Sequence, residues 1–172
     1  MFDIITIGTA TRDVFLRSPK FKVLRDPEHL KKLGFVTGEA ECFALGSKIN
    51  VEAPVFAFGG GAANAAVTFA RQGLKTGAVI KVGADESGES VIANLKQEKI
   101  VPFAARDKKI GTAYSVALLT AGGERTILSY RGASEGLARR DIPFGKLSAK
   151  WAYIAPGALP VVLMKDIITA LK

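Results

Sequence analysis

Residues 58–66 read Phe58-Gly59-Gly60-Gly61-Ala62-Ala63-Asn64-Ala65-Ala66, three consecutive glycines directly ahead of an alanine-rich segment that predicts a helix over about Ala62 to Gln72. Ordering glycine backbone costs more conformational entropy than ordering any other residue, so a triple glycine needs a reason. Without Cβ atoms these residues let a ligand approach the main chain, and the first amides of a helix have no intrahelical partner. Gly59 to Gly61 can therefore offer N–H donors to ligand oxygens, and Asn64 adds one acceptor and two donors about a turn later. The competing reading is a tight strand-to-helix turn that binds nothing. The dinucleotide fingerprint fails, because its third glycine position holds Asn64, and no G-x-x-x-x-G-K-[ST] phosphate loop occurs in the chain.

Outward from this turn the pattern alternates strand and helix. Upstream, Asp3 to Gly8 is a short β-branched apolar run closed by glycine, as expected of a strand buried on both faces of a parallel sheet. A polar loop, Thr9-Ala10-Thr11-Arg12-Asp13, follows it. Residues 48–53, KINVEA, alternate polar and apolar and predict a strand with one wet face. Downstream, Gly73 suits a left-handed helix cap, Thr76 to Val82 predicts another buried strand, and Gly88 to Glu98 predicts a helix with acids first and lysines last. Residues 111–131 form two strand-like runs around Gly122-Gly123, a hairpin signal because glycine supplies the positive φ of tight turns. Trp151 to Ala155 reads as one more core strand, and Val161 to Lys172 as the start of an amphipathic helix. The order predicts a three-layer α/β core with antiparallel pieces set apart from it. In such sheets ligands sit beyond the carboxyl ends of the strands, which places Asp13 and the glycine turn on one crevice.

Composition bounds the rest. The chain has 172 residues, 48% of them hydrophobic and 23% charged, enough for one well-buried core. A single Cys42 and a single His29 provide neither a disulfide nor a zinc ligand set, which predicts a reducing, cytoplasmic setting and no structural metal. Cys42 is expected as a small core hydrophobe, and His29 as a solvated surface residue. The N-terminal apolar run is too short for a signal or membrane segment. The net charge of +8 favours anionic partners, either nucleic acid or phosphorylated small molecules. A nucleic-acid domain has only this charge behind it, because no aromatic-basic interleaving accompanies the basic tracts.

An acceptor-only carboxylate, Asp13, opposite main-chain donors makes a site for a polyhydroxylated guest, since sugar hydroxyls need both kinds of partner. Asp13 alone also fits a loop or cap. Tyr130-Arg131 reads either as an exposed strand end or as a guanidinium beside an aromatic ring, suited to a phosphate or carboxylate.

Three stretches together, DIITIGTATRD (3–13), FAFGGGAANAAVTFARQGLKTGAVIKVGADESGESV (56–91) and GTAYSVALLTAGGERTILSYRGAS (111–134), resemble the N-terminal half of the ribokinase-like, PfkB-type carbohydrate and nucleoside kinases. The resemblance implies a three-layer α/β/α core with a small β lid over about 14–19, 46–58 and 111–131. It implies that Asp13, Gly59, Gly60 and Asn64 hold the acceptor, a sugar or nucleoside. Tyr130 and Arg131 fall where ketodeoxygluconate kinases place lid residues on an acidic substrate, and the lid implies a possible homodimer. Where ribokinase has a lysine after its two glycines this chain has Gly61, which argues against ribose. The family's second signature, a Gly-Ala-Gly-Asp stretch with the catalytic base and the nucleotide pocket, is absent from 1–172, so a fragment lacking the C-terminal half is expected. ATP and Mg²⁺ are implied for the full-length enzyme, with no catalytic residue in this chain. A non-catalytic sugar- or nucleoside-binding module is the alternative.

Overall fold

The computed structural model describes residues 1–170. Its elements in chain order are β1 (Phe2–Ile7), β2 (Thr11–Arg17), β3 (Lys22–Arg25), α1 (Pro27–Lys32), β4 (Glu39–Cys42), β5 (Val55–Gly59), α2 (Gly61–Arg71), β6 (Thr76–Gly83), α3 (Glu86–Gln97), β7 (Val101–Asp107), β8 (Tyr114–Leu119), β9 (Arg125–Tyr130), α4 (Gly132–Glu135), β10 (Ala149–Ile154) and α5 (Val161–Ala170), with single 3₁₀ turns at Arg139–Asp141 and Phe144–Lys146. The chain forms two compact units. The first holds Met1–Asp13, Phe58–Ser115 and the chain from Ser129 onward, and the second holds Val14–Ala57 and Val116–Leu128.

The first unit is built on a parallel sheet of order β10-β1-β6-β7. Every residue of β6 is buried, because both faces of this central strand are covered. Ala78, Ile80 and Val82 pack with Ala62, Ala63 and Ala66 of α2 and with Val91, Ile92 and Leu95 of α3. Val79 points the other way and joins Ile5 and Ile7 of β1 against Leu137, Leu159, Leu163 and Ile167. This is the three-layer α/β arrangement the alternating pattern predicts. Each fully buried Ile or Val of these clusters contributes roughly 1.5–3 kcal/mol over its exposed state. The alanines of α2 keep its buried face thin, so the helix lies close to the sheet and fixes the turn ahead of it.

Two polar networks tie the strand ends to the loops above them. The Lys81 side chain is buried on β6, where its ammonium lies 3.2 Å from Asp141 and 3.4 Å from Asp107 and donates to the Gly136 carbonyl at 3.0 Å. One cation thereby joins β6, β7, the C-terminal end of α4 and the first 3₁₀ turn. Asp85 caps α3 by accepting from the Gly88 amide at 2.8 Å, and it also accepts from the amide and hydroxyl of Thr112 at 2.8 and 2.6 Å. The Thr112 hydroxyl in turn accepts from the Gly83 amide at 2.9 Å. Acids in the first turn of α3, Glu86 and Glu89, and Lys96 in its last turn complement the helix dipole.

In the second unit β3 and β4 pair antiparallel around α1, whose N-cap Asp26 accepts from the His29 amide at 3.2 Å. The strands β5-β2-β8-β9 form a second sheet in that order. Its hairpin closes where the Thr120 amide donates to the Glu124 carbonyl at 3.0 Å, with Gly123 alone of the glycine pair at positive φ, +90°.

Several expectations are corrected. Residues 48–53 form no strand. They are held as a loop by the Ser18 hydroxyl donating to the Asn50 carbonyl at 2.8 Å and by the Glu52 amide donating to the Arg17 carbonyl at 2.8 Å. The strand begins instead at Val55, beyond Pro54, since three apolar residues in alternation, the last of them alanine, carry too little pattern to specify a ladder. The segment Trp151–Ala155 enters the sheet as expected, but β10 is its edge, with Trp151 74% and Tyr153 43% exposed. Cys42 is exposed at the end of β4 rather than buried, past the packing that covers Ala40. The helix expected over Val161 to Lys172 is α5 through Ala170, and Leu171 and Lys172 lie outside the described residues. Among the described residues no helix is long and apolar enough to cross a membrane.

Burial raises the Asp85 carboxyl, but the Thr112 hydroxyl, the Thr112 amide and the Gly88 amide outweigh it and hold the group below its ordinary value of 3.8. A carboxylate with a depressed folded pKa stabilises the fold above its unfolded value and loses that contribution as pH falls through the folded one. Asp85→Ala should therefore cost about 1–2 kcal/mol in urea unfolding at pH 7. The margin of wild type over the variant should be full well above pH 3.8 and shrink as pH drops below it. A margin independent of pH would contradict the network.

Candidate functional site

The candidate site lies in the first unit, where the segment after β1 meets the glycine turn before α2. Gly60 takes φ +95°, and a Cβ there would come within 2.7 Å of the Thr9 carbonyl and the Ala10 Cα. Both the left-handed backbone and the close approach require glycine. At Gly59 a side chain would strike the Asp13 carboxylate, and at Gly61 it would meet the Ala155 methyl at 2.8 Å.

The amides at this helix start are largely claimed by the protein itself, contrary to the expectation of free donors. Gly61 donates to the Thr9 hydroxyl at 3.0 Å, and Ala62 and Ala63 donate to the Thr9 carbonyl at 3.1 and 3.3 Å. Thr9 thus caps α2 from another segment of the chain, and of the three glycines only Gly61 gives its amide to this capping set.

A hollow of about 260 Å³ opens beside the turn, with Thr9, Thr11, Gly60, Gly61, Tyr130, Arg131, Ser134 and Glu135 in its wall. It is slightly smaller than the roughly 300–1,000 Å³ typical of drug-sized sites and suits a small polar guest. One side of the wall is pinned by Ser134, whose hydroxyl is buried. It donates toward the Ala10 carbonyl at 2.8 Å and the Lys81 carbonyl at 3.1 Å, and accepts from the Ala10 amide at 3.4 Å. The Lys81 network holds the far end of the same short helix at Gly136. The Arg131 guanidinium is exposed at the other side, directly after Tyr130, and supplies positive charge to the wall.

Of the six residues expected to bind a guest, Gly60, Tyr130 and Arg131 line this hollow. Asp13 and Gly59 sit next to it. The Asp13 Oδ1 atom accepts from the Thr11 hydroxyl at 3.0 Å, so the carboxylate stands directly behind a lining residue, while its Oδ2 faces the bare Cα of Gly59. Asn64 is not brought there. It is exposed and lines a separate recess with Phe58, Arg71, Asn94 and Glu98. A residue three positions into α2 lies on a helix face set by the 100° rotation per residue, and this one turns outward from the hollow. The sequence reading missed Thr9, Thr11, Ser134 and Glu135 in the wall. Thr11 was legible from period two, since residues 11 and 13 share one face of β2. Ser134 was not, because its role depends on where α4 folds back.

Gly59 has ordinary backbone angles, so substitution there tests the space and not the φ. Gly59→Ala should destabilise by about 1–3 kcal/mol in urea unfolding through its collision with Asp13. Gly145→Ala, where nothing lies within 4 Å of the added methyl, should stay within about 0.5 kcal/mol of wild type. Equal effects at the two positions would contradict the close approach.

The sequence profile of the pfkB family carbohydrate kinases matches residues 27–170. Among solved structures the chain is similar to a ribokinase from Giardia lamblia, with 18% identity and a TM-score of 0.75 over 98% of this chain and 50% of that one. It is similar to an adenosine kinase from Sinorhizobium meliloti, with 22% identity and a TM-score of 0.64 over 89% of this chain and 46% of that one. A ribokinase from Cryptococcus neoformans in complex with ADP is 18% identical, with a TM-score of 0.67 over 98% of this chain and 45% of that one. The chain spans about half the length of the solved structures it matches. With the glycine turn, the three-layer core and a family match covering most of its length, this chain belongs to the pfkB family of carbohydrate kinases.

Proposed function

We propose that these residues form the acceptor-binding half of an ATP-dependent sugar or nucleoside kinase that transfers the γ-phosphoryl group to an alcohol of its substrate. The observation that carries this reading is the hollow at the Gly59–Gly61 turn, with the Thr11 hydroxyl in its wall and the Asp13 carboxylate directly behind it. A carboxylate accepts from sugar hydroxyls, and the Thr11 hydroxyl beside it, its own proton given to Asp13, accepts from another. Asp13, Gly59 and Gly60 hold the guest, and Tyr130 and Arg131 orient it, Arg131 favouring an acceptor with an acidic group. Asn64, exposed on the far face of α2, enters the site only if the helix start rearranges around a guest.

No Mg²⁺–nucleotide site is assigned to these residues. Among the described residues no group of three or more His, Cys, Asp or Glu side chains converges as metal ligands, and the Gly-Ala-Gly-Asp run is absent. In this reading the residues of this chain supply the acceptor side of the reaction, in the cytoplasm, and neither the phosphoryl-donor site nor the base that takes the acceptor's proton is assigned to them. The exposed apolar residues Val55, Ile127 and Leu128 of the second unit, 61%, 53% and 56% accessible, support a homodimer through the lid. Sedimentation velocity should then give a dimer that Ile127→Lys dissociates, and a monomer at all concentrations would remove this part.

Isothermal titration of the chain with D-ribose, D-fructose and adenosine, with and without ATP, tests the main reading. At least one of the three should bind, and Asp13→Ala should weaken it by about 1.5–3 kcal/mol. An unchanged affinity in that variant would take Asp13 out of the site. The chain alone should release no ADP when ATP and an acceptor are supplied, and acceptor-dependent ADP release would refute the division of labour proposed here.

A further inference from the structure

Asp13 is held by a residue far away in sequence that the family reading does not use. The Ser115 hydroxyl donates to Asp13 Oδ1 at 2.6 Å, the shorter of the two hydrogen bonds to that atom; the other comes from the Thr11 hydroxyl at 3.0 Å. Ser115 lies at the start of β8 and Asp13 in the middle of β2, strands that neighbour each other in the second sheet. Both donors converge on one oxygen of the carboxylate and leave Oδ2 over Gly59, where the missing side chain makes room for it. A carboxylate on a single rotatable stem samples several orientations in water, and two hydroxyl donors of fixed position select one of them.

We propose that Ser115 is a positioning residue for the acceptor site. Its hydroxyl, together with that of Thr11, pins Asp13 Oδ1 so that Oδ2 is the oxygen presented to a substrate hydroxyl. The inference rests on the acceptor-site reading for its consequence, but the pinning itself stands on the geometry alone. Thr11 has a double part, since an oxygen that donates its proton to Asp13 keeps its lone pairs for a hydroxyl of the guest. A guest is then met by two acceptors of fixed spacing, one charged and one neutral, which suits adjacent hydroxyl groups better than a single one.

Two measurements separate the pinning from its consequence. The first is the ¹³C resonance of the Asp13 side-chain carboxyl in the unliganded chain, assigned by its disappearance in Asp13→Asn. Ser115→Ala should shift or broaden it while the backbone amide spectrum stays folded, and Ser115→Thr, which keeps the hydroxyl, should restore it. An unmoved resonance in folded Ser115→Ala overturns the proposal. If that variant does not fold, a crystal structure of the unaltered chain decides. Ser115 Oγ within hydrogen-bond reach of the Asp13 carboxylate supports the proposal, and Asp13 turned away from Ser115 overturns it. The second is titration with D-ribose, D-fructose and adenosine. Ser115→Ala should weaken the probe that binds by about three- to tenfold, Ser115→Thr should recover most of the loss, and Asp13→Ala/Ser115→Ala should bind no worse than Asp13→Ala. Additive losses in the double variant overturn the positioning role. If Asp13→Ala binds like wild type, or none of the probes binds, the acceptor-site reading falls and the resonance alone decides whether Asp13 is pinned.

Discussion

The Thr9 carbonyl and the Ala10 Cα approach Gly60 so closely that no side chain fits between the segment after β1 and the start of α2. That close approach fixes everything above the carboxyl end of the sheet. It lets Thr9 cap three amides of α2 from outside the helix, and it sets the Asp13 carboxylate against Gly59. Helix starts normally take their cap from the residue just before them. Here that residue is Gly60, which has no side chain to offer, so the cap comes from the neighbouring crossover. The entropy lost in ordering three glycines is compensated by packing and capping within the protein, and the turn shapes a hollow more than it supplies free amides.

The wall opposite the turn depends on polar groups that the core could not otherwise tolerate. Burying an ammonium is costly unless it is paired and hydrogen-bonded, and Lys81 has two carboxylates and a carbonyl around it. Its own carbonyl and that of Ala10 both receive the Ser134 hydroxyl, so β6, the loop after β1 and α4 are linked through two side chains. The Asp85–Thr112 network does the same for the start of α3 and the segment leading into β8, where Ser115 begins its work on Asp13. A site on loops gains fixed geometry when each loop is tied to a strand end in this way.

Much of this architecture was legible in the chain. Short β-branched runs closed by glycine gave β1 and β6 almost to the residue, because a strand buried on both faces needs continuous apolar character, and Gly73 at φ +87° ends α2 as its position after the apolar run requires. The glycine turn marked where the hollow beside Gly60 and Gly61 lies. What failed did so for physical reasons. The alternation in 48–53 was too short to outweigh the local hydrogen bonds of Ser18 and Arg17 that hold a loop. The apolar content of 151–155 identified a strand but not which of its faces is covered. Asn64 could be placed on α2 but not rotated, since its face follows from how the helix packs on β6. Ser115 was invisible, because its bond to Asp13 spans 102 positions and exists only through the pairing of β2 with β8.

The central claim is that a polyhydroxylated guest sits where the Thr9–Asp13 segment meets the glycine turn. A crystal structure of this chain grown with D-ribose, D-fructose or adenosine tests it most directly. The account predicts density for the guest in the hollow, with its hydroxyl oxygens hydrogen-bonded to Thr11 Oγ1 and to Asp13 Oδ2. A guest bound elsewhere, or an Asp13 carboxylate swung away from Gly59 with no hollow beside Gly60, would contradict it.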